Sequence, residues 1–186
     1  MTLPTNSILS SQTLDEWRGS LTTFKGFTNT RPDQEYSNSN WQDIKNKIAP
    51  EIPLFITDKK RGEYFIPCLL KEAPLVGGTL EMAIKSGNST VGKMRSKDHA
   101  TETCFLIVDI DGLPEIEFET ITDRLKAEKI TYLIYSTFSH GNPAKPGVRA
   151  RLIIPVDTAI NVEDYPSAWQ AFNTCYLAGS GDASGS

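Results

Sequence analysis

The chain has 186 residues, 39% of them hydrophobic and 23% charged, with a net charge of −4. That is enough for one domain or two small lobes around a real core. The acidic balance excludes a protein that grips duplex through a broadly basic surface, and no apolar run approaches the roughly 18 residues of a membrane span.

The opening MTLPTNSILSSQTLDEW lacks the basic start and continuous apolar stretch of a secretory signal. Cys68, Cys104 and Cys175 lie far apart, outside any CxxC or Cys/His cluster. They read as free thiols of a reducing cytosol, not as zinc ligands, so a cytoplasmic protein is expected.

In chain order, TLDEWRGSL predicts a short helix with Thr13 as cap and Asp15 and Glu16 in its first turn. SNSN at 37–40 marks a loop. NWQDIKNKIA, 40–49, predicts a second helix, capped by Asn40, with Trp41, Ile44 and Ile48 on one face. PLFITD, 53–58, and EYFIPCLL, 63–70, predict strands around the turn KKRG, with Pro67 pushing the second toward an edge or a break. PLVGGTLEMAIKSGN, 74–88, mixes a glycine turn with a short helix, and STVGKMRSKDHATET is a polar, basic loop with His99 at the surface.

From residue 103 the pattern sharpens. TCFLIVDI is a strand, and LPEIEFETITDRLKAEK a helix with Pro114 near its first position and Ile116, Phe118, Ile121 and Leu125 along one stripe. TYLIYSTF, 131–138, is a strand, SHGNPAKPG a loop, VRARLIIPVD, 148–157, a strand, and NVEDYPSAWQAFNTCYLAG, 161–179, a helix under way after Pro166. The order β-α-β-β-α is five sixths of the split βαββαβ unit. The closing strand is expected to be missing or truncated, with the sequence a fragment of a longer protein, or its place filled by an N-terminal strand.

Two carboxylates end the apolar run FLIVDIDGL. Asp109 and Asp111, two apart on a strand, leave the same face and repel each other unless a positive charge separates them. A hard divalent cation such as Mg2+ answers that need; the bland alternative is an Asp-rich turn that caps a helix. Arg149 and Arg151 also share a face, and a strand seldom carries paired arginines without an anion. Guanidiniums beside a dicarboxylate metal site suit a triphosphate, with Ser136, Phe138 and His140 near the open end of the hairpin and Lys145 in its loop. Against this stands a solvated edge strand whose arginines face water. A two-metal site needs a third carboxylate. Asp157 and Asp182 compete, and Asp182 is preferred because its glycine-rich surroundings allow close backbone approach.

Together, the DxD strand, the hydroxyl/His segment, the R-x-R-L-I-I-P strand and the later D-x-S resemble the archaeo-eukaryotic primase superfamily, above all the primase–polymerase domains of phage and plasmid replication proteins. The resemblance covers mainly residues 93–184, including GKMRSKDHATETCFLIVDIDG. It implies an α+β, two-lobed primase–polymerase fold: residues 1–92 an N-terminal α/β module, residues 93–186 an RRM-like catalytic module. It further implies template-dependent nucleotidyl transfer with Mg2+ or Mn2+, acting on nucleoside triphosphates and a single-stranded DNA template, with a helicase domain or protein as a further partner. Asp109, Asp111 and Asp182 match the catalytic metal carboxylates. Ser136, His140, Lys145, Arg149 and Arg151 fall to the nucleotide, and Lys93, Arg95 and Lys97 to the template. The small-x-His motif departs from the pattern: Ser136-Thr137-Phe138 has the small residue without the histidine, and Phe138-Ser139-His140 the reverse.

Two rivals share these residues. IVDIDG and YLIYST resemble motifs of haloacid-dehalogenase-like phosphatases, with Asp109 as nucleophile and Asp111 as acid/base, although Leu113 stands where that family has Thr. The other rival is a non-catalytic replication-initiator or RRM-like binding module.

Overall fold

The computed structural model describes residues 14–26, 28–50 and 58–182. The fold is α+β, with four α-helices and antiparallel sheets.

Its centre is a sheet of four strands, in the order β4-β7-β9-β8. These are β4 (Cys68–Leu70), β7 (Ala100–Leu113), β8 (Leu133–Ser136) and β9 (Val148–Ile160). Helix α3 (Glu115–Ala127) joins β7 to β8, and α4 (Tyr165–Leu177) follows β9, so the predicted β-α-β-β-α order is observed. Residues of β7 alternate between two cores, as a strand with both faces covered must. Leu106, Val108 and Ile110 face α3 and α4, packing with Leu125, Leu152, Trp169 and Phe172. Phe105 and Ile107 face the other way, against Trp17, Leu21, Trp41 and Ile44. In α3, Ile121 and Leu125 are buried as expected, but Ile116 is 69% exposed. It sits in the first turn, where the helix has not yet reached the sheet.

The N-terminal cover is a sheet in the order β2-β1-β3, with β1 at Gly19–Lys25, β2 at Gln34–Ser39 and β3 at Glu63–Ile66, plus helix α1 at Trp41–Ile48. Asn40 caps α1 by accepting from the Asp43 N–H at 2.9 Å, and Trp41 and Ile44 are buried. Two expectations fail here. The helix over 13–21 is a turn followed by β1 (Thr13 itself lies outside the described residues), and the loop expected at 37–40 is, up to Ser39, the end of edge strand β2. Leu14, Trp17 and Leu21 imitate helical spacing. Yet Leu21, Thr22, Thr23 and Phe24 are all buried, which a central strand between two neighbours achieves and a one-sided helix does not.

Pro67 acts as expected. It ends β3, which pairs with β1, and β4 beyond it pairs with β7 in the other sheet. One apolar run therefore serves two sheets, and β4 takes part of the place left for a closing strand. The strand expected over 53–58 falls almost wholly outside the described residues. A small ladder of β5 (Ala73–Pro74) and β6 (Val91–Gly92) flanks helix α2 (Gly77–Lys85). His99 is not at the surface. It is buried, its Nε2 donating to the Ala73 carbonyl at 3.3 Å and its Nδ1 bonded to the Ser96 hydroxyl at 2.7 Å. A histidine with both nitrogens satisfied by its own chain ties the basic loop to the β5 ladder.

No helix among the described residues is long and apolar enough to cross a membrane. The pairing within each sheet is antiparallel, so the parallel α/β sheet that the phosphatase resemblance calls for is not what carries Asp109 among the described residues.

Candidate functional site

Register decides which side chains meet. In β7 and β9, Asp109 stands opposite Arg151 and Asp111 opposite Arg149, while Arg151 stands opposite Tyr135 of β8. On the other edge of β7, Asp182 bridges to Asp109, its N–H donating to the Asp109 carbonyl at 2.8 Å. Directly opposed residues project from the same face. Asp182, Asp109, Arg151 and Tyr135 therefore form one cross-strand row, with Asp111 and Arg149 in the next. This is the face that carries Phe105 and Ile107, so β7 passes from an apolar half under the N-terminal cover to an acidic half, where Asp111 is half exposed.

Both rows are ion-paired. Arg151 grips Asp109 in a fork, Nε to Oδ1 at 2.6 Å and Nη2 to Oδ2 at 2.9 Å, and Nη1 donates to the Tyr135 hydroxyl at 3.5 Å. Burial opposes the charge on Arg151, but the bonds to Asp109 outweigh it and hold its pKa above the ordinary value. Burial likewise raises the Tyr135 phenol, against the opposing pull of Arg151, so it remains a neutral donor and acceptor. Arg149 pairs with Asp111 and also donates from Nε to the Lys145 carbonyl at 3.2 Å.

Gly112 makes the transition from strand to site possible. The β7–β9 register shifts between Asp111 and Leu113, and Gly112 sits in that bulge with φ of 79°. Gly147, with φ of 87°, lies so close that an added Cβ would be 2.6 Å from the Gly112 backbone. The two glycines let the ends of β7 and the hairpin loop cross, which fixes Arg149 beside Asp111.

Asp182 is held from α4. Buried Asn173 brackets Gly181, accepting from its N–H at 2.8 Å and donating to its carbonyl at 3.3 Å. A Cβ on Gly181 would stand 2.5 Å from Val108. Between β4 and Asp182, α4 satisfies the β7 edge: the Ile107 N–H donates to the Tyr165 hydroxyl at 3.1 Å, and the Trp169 indole donates to the Ile107 carbonyl at 2.9 Å. Asp157 is exposed on β9, six residues and roughly 20 Å of strand beyond Arg151, so Asp182 is the carboxylate beside Asp109.

The other expected site residues divide. Ser136 stands opposite Ala150, on the face of Ile110 and Leu152, so it points away from the acids. The hydroxyl beside Arg149 is that of Thr137, whose N–H donates to the Arg149 carbonyl at 2.9 Å. His140 is exposed in the hairpin loop, with Nδ1 accepting from the Arg149 N–H at 3.2 Å, and Lys145 is exposed nearby. Lys93 pairs with Glu35 at 2.5 Å and Lys97 with Glu163 at 3.5 Å, on different neighbours. Arg95 lies over the Phe24 ring at 5.4 Å and, with Arg151, lowers the Tyr64 pKa that burial raises.

Sequence reading missed Tyr135 and Asn173. Tyr135 carried no signal in the sequence, because the face it takes is set by the register of β8 against β9. Asn173 was visible as a polar residue on the apolar stripe of Trp169, Phe172 and Leu177, where burial demands a partner.

An all-carboxylate donor set suits a hard cation, and the backbone puts Asp109, Asp111 and Asp182 on one face. The side chains of Asp109 and Asp111, however, are turned onto guanidiniums, and no three acidic, imidazole or thiol groups among the described residues converge to enclose a metal. The arrangement is that of an ion-paired ground state. Comparisons with protein-family models, curated proteins and solved structures each found no match.

Proposed function

We propose that this chain is a DNA-dependent nucleotidyltransferase of the primase–polymerase type, with an RRM-like catalytic lobe, that makes or extends primers. The observation that carries this reading is the register that sets Asp109, Asp111 and Asp182 with Arg149 and Arg151 in adjacent rows on one sheet face. The β-α-β-β-α order and the β7-β9-β8 arrangement support it.

In this reading Asp109, Asp111 and Asp182 hold Mg2+ or Mn2+, which when bound lowers the pKa of an attacking 3′-hydroxyl and steadies a triphosphate. Arg149 and Arg151 turn from the acids to the phosphates, where planar guanidiniums make paired hydrogen bonds. Tyr135 keeps Arg151 oriented through its hydroxyl. His140 and Lys145 lie in the loop that the triphosphate tail reaches, and exposed Phe138 offers a ring for stacking a base. Lys93 and Lys97 give up weak surface ion pairs to template phosphates. Binding of the single-stranded template is accordingly weak and salt-sensitive.

The test is incorporation of labelled nucleotide on a primed single-stranded template with Mn2+. Wild type should extend the primer, and Asp109→Asn and Asp111→Asn should each reduce the rate by at least about a hundredfold. No incorporation by wild type under any metal and nucleotide pairing overturns the reading. A second reading, a non-catalytic nucleic-acid-binding module, draws on the ion pairs themselves, since acids neutralised by arginine need no metal. It requires single-strand binding that survives both substitutions, with no activity to lose.

A further inference from the structure

This inference rests on the reading just given, that the Asp109 face takes a divalent cation with a polyphosphate, and it concerns how the two arrive. Each acid already has a counter-ion. Both oxygens of Asp109 are engaged by Arg151, at 2.6 and 2.9 Å, and Asp111 is paired with Arg149. The Arg149 side chain is only 14% exposed and that of Arg151 29%.

A cation arriving alone meets two carboxylates whose charge is cancelled. To take them it must strip two shielded guanidiniums of their partners and leave both without an anion, which is costly. A polyphosphate arriving alone meets the reverse obstacle. It must draw the arginines away and leave Asp109 and Asp111, like charges two residues apart on one face, uncompensated. When both arrive, each ligand takes the groups that the other releases. The acids turn to the cation, the guanidiniums turn to phosphate oxygens, and no charge is left unpaired. The shared register of β7 and β9 means that side-chain rotation suffices.

We propose that Arg149 and Arg151 are exchangeable counter-ions that lock Asp109 and Asp111 until a divalent cation and an oligophosphate bind together, so that each ligand strengthens the binding of the other. Linkage makes that strengthening reciprocal. The lock keeps the site from holding either ligand unproductively, and it makes the arginines antagonists of the metal in the free protein.

The test follows Mn2+ binding by paramagnetic resonance on the whole chain, with inorganic triphosphate as the anion and the soluble Mn2+–triphosphate complex included in the analysis. Wild type should bind Mn2+ alone weakly, and triphosphate should tighten that binding by about tenfold or more. The Arg149→Gln/Arg151→Gln chain should bind Mn2+ alone about tenfold more tightly than wild type, with little further gain from triphosphate. Arg149→Gln, whose partner Asp111 is half exposed, provides a milder variant in case the double change unfolds the chain, and should show the same sign of effect. Arginine variants that bind Mn2+ no more tightly than wild type overturn the lock. Mn2+ binding that survives Asp109→Asn, with or without triphosphate, instead overturns the assignment of the metal to this face, a result distinct from the first.

Discussion

Asp109 and Asp111 lie two residues apart on one strand, yet their ion pairs differ in worth. Asp109 and Arg151 are largely shielded and joined by a fork of two hydrogen bonds, whereas the Asp111 side chain is 49% exposed. Removing either member of the inner pair leaves an uncompensated charge. Asp109→Asn or Arg151→Gln should therefore destabilise by about 2–3 kcal/mol, while Arg149→Gln, which leaves only the half-exposed Asp111 without its partner, should cost under about 1 kcal/mol. Urea unfolding of the singles and the double checks this: the double should cost clearly less than the sum of the singles. The thiols differ in the same way. Burial raises the pKa of Cys68 and Cys104, while Cys175 is exposed, so a thiol reagent at neutral pH should label Cys175 first. The same raised values set a pH trend. These thiols, with Tyr135 and Tyr165, ionise later in the fold than in the unfolded chain. Their effect on stability is nil below the unfolded thiol value and negative as pH rises through the raised values. The melting temperature should thus fall on the alkaline side, above about pH 9.

At the scale of elements, the site depends on two close backbone approaches. Gly147→Ala forces a Cβ into the Gly112 backbone at positive φ, whereas Gly141, also at positive φ, faces open space. Gly147→Ala should cost at least about 3 kcal/mol and Gly141→Ala about 1 kcal/mol, by the same unfolding measurement. Asn173→Ala removes the bracket on Gly181. It should cost about 2 kcal/mol and speed hydrogen exchange at the Asp182 amide, which wild type protects through the Asp109 carbonyl. The sequence made β7, α3, β9, α4 and the acid and arginine pairs legible because each rests on local periodicity. What escaped it was set by long-range pairing. β1 passed for a helix because its burial comes from two neighbouring strands. Ser136 was placed on the wrong face because the parity of β8 is fixed only by its register with β9. His99 passed for a surface residue because its partner, Ala73, lies 26 positions away.

Across the whole molecule, the N-terminal cover and the four-stranded sheet share one core. The Trp17 indole donates to the Val156 carbonyl at 2.9 Å, and its ring meets Phe105 and Trp41 edge-on, at 5.0 and 5.6 Å. β4 comes from the N-terminal half yet pairs with β7. Trp17→Ala should therefore cost about 3–5 kcal/mol, and fluorescence and far-ultraviolet dichroism should report a single coincident transition in wild type. Two separated transitions would show that the cover and the sheet fold apart. That shared core also matters to the site, because it buries Phe105 and Ile107 on the apolar half of β7, whereas Asp111 on the acidic half is half exposed.

The most direct measurement is the anomalous scattering of Mn2+ in crystals grown with a non-hydrolysable nucleoside triphosphate. A peak within coordination distance of Asp109, Asp111 and Asp182 is expected, with Arg149 and Arg151 turned from the acids onto phosphate oxygens. Crystals in which the nucleotide and metal lie elsewhere, while Arg151 still grips Asp109, would contradict the proposal that this face transfers nucleotides.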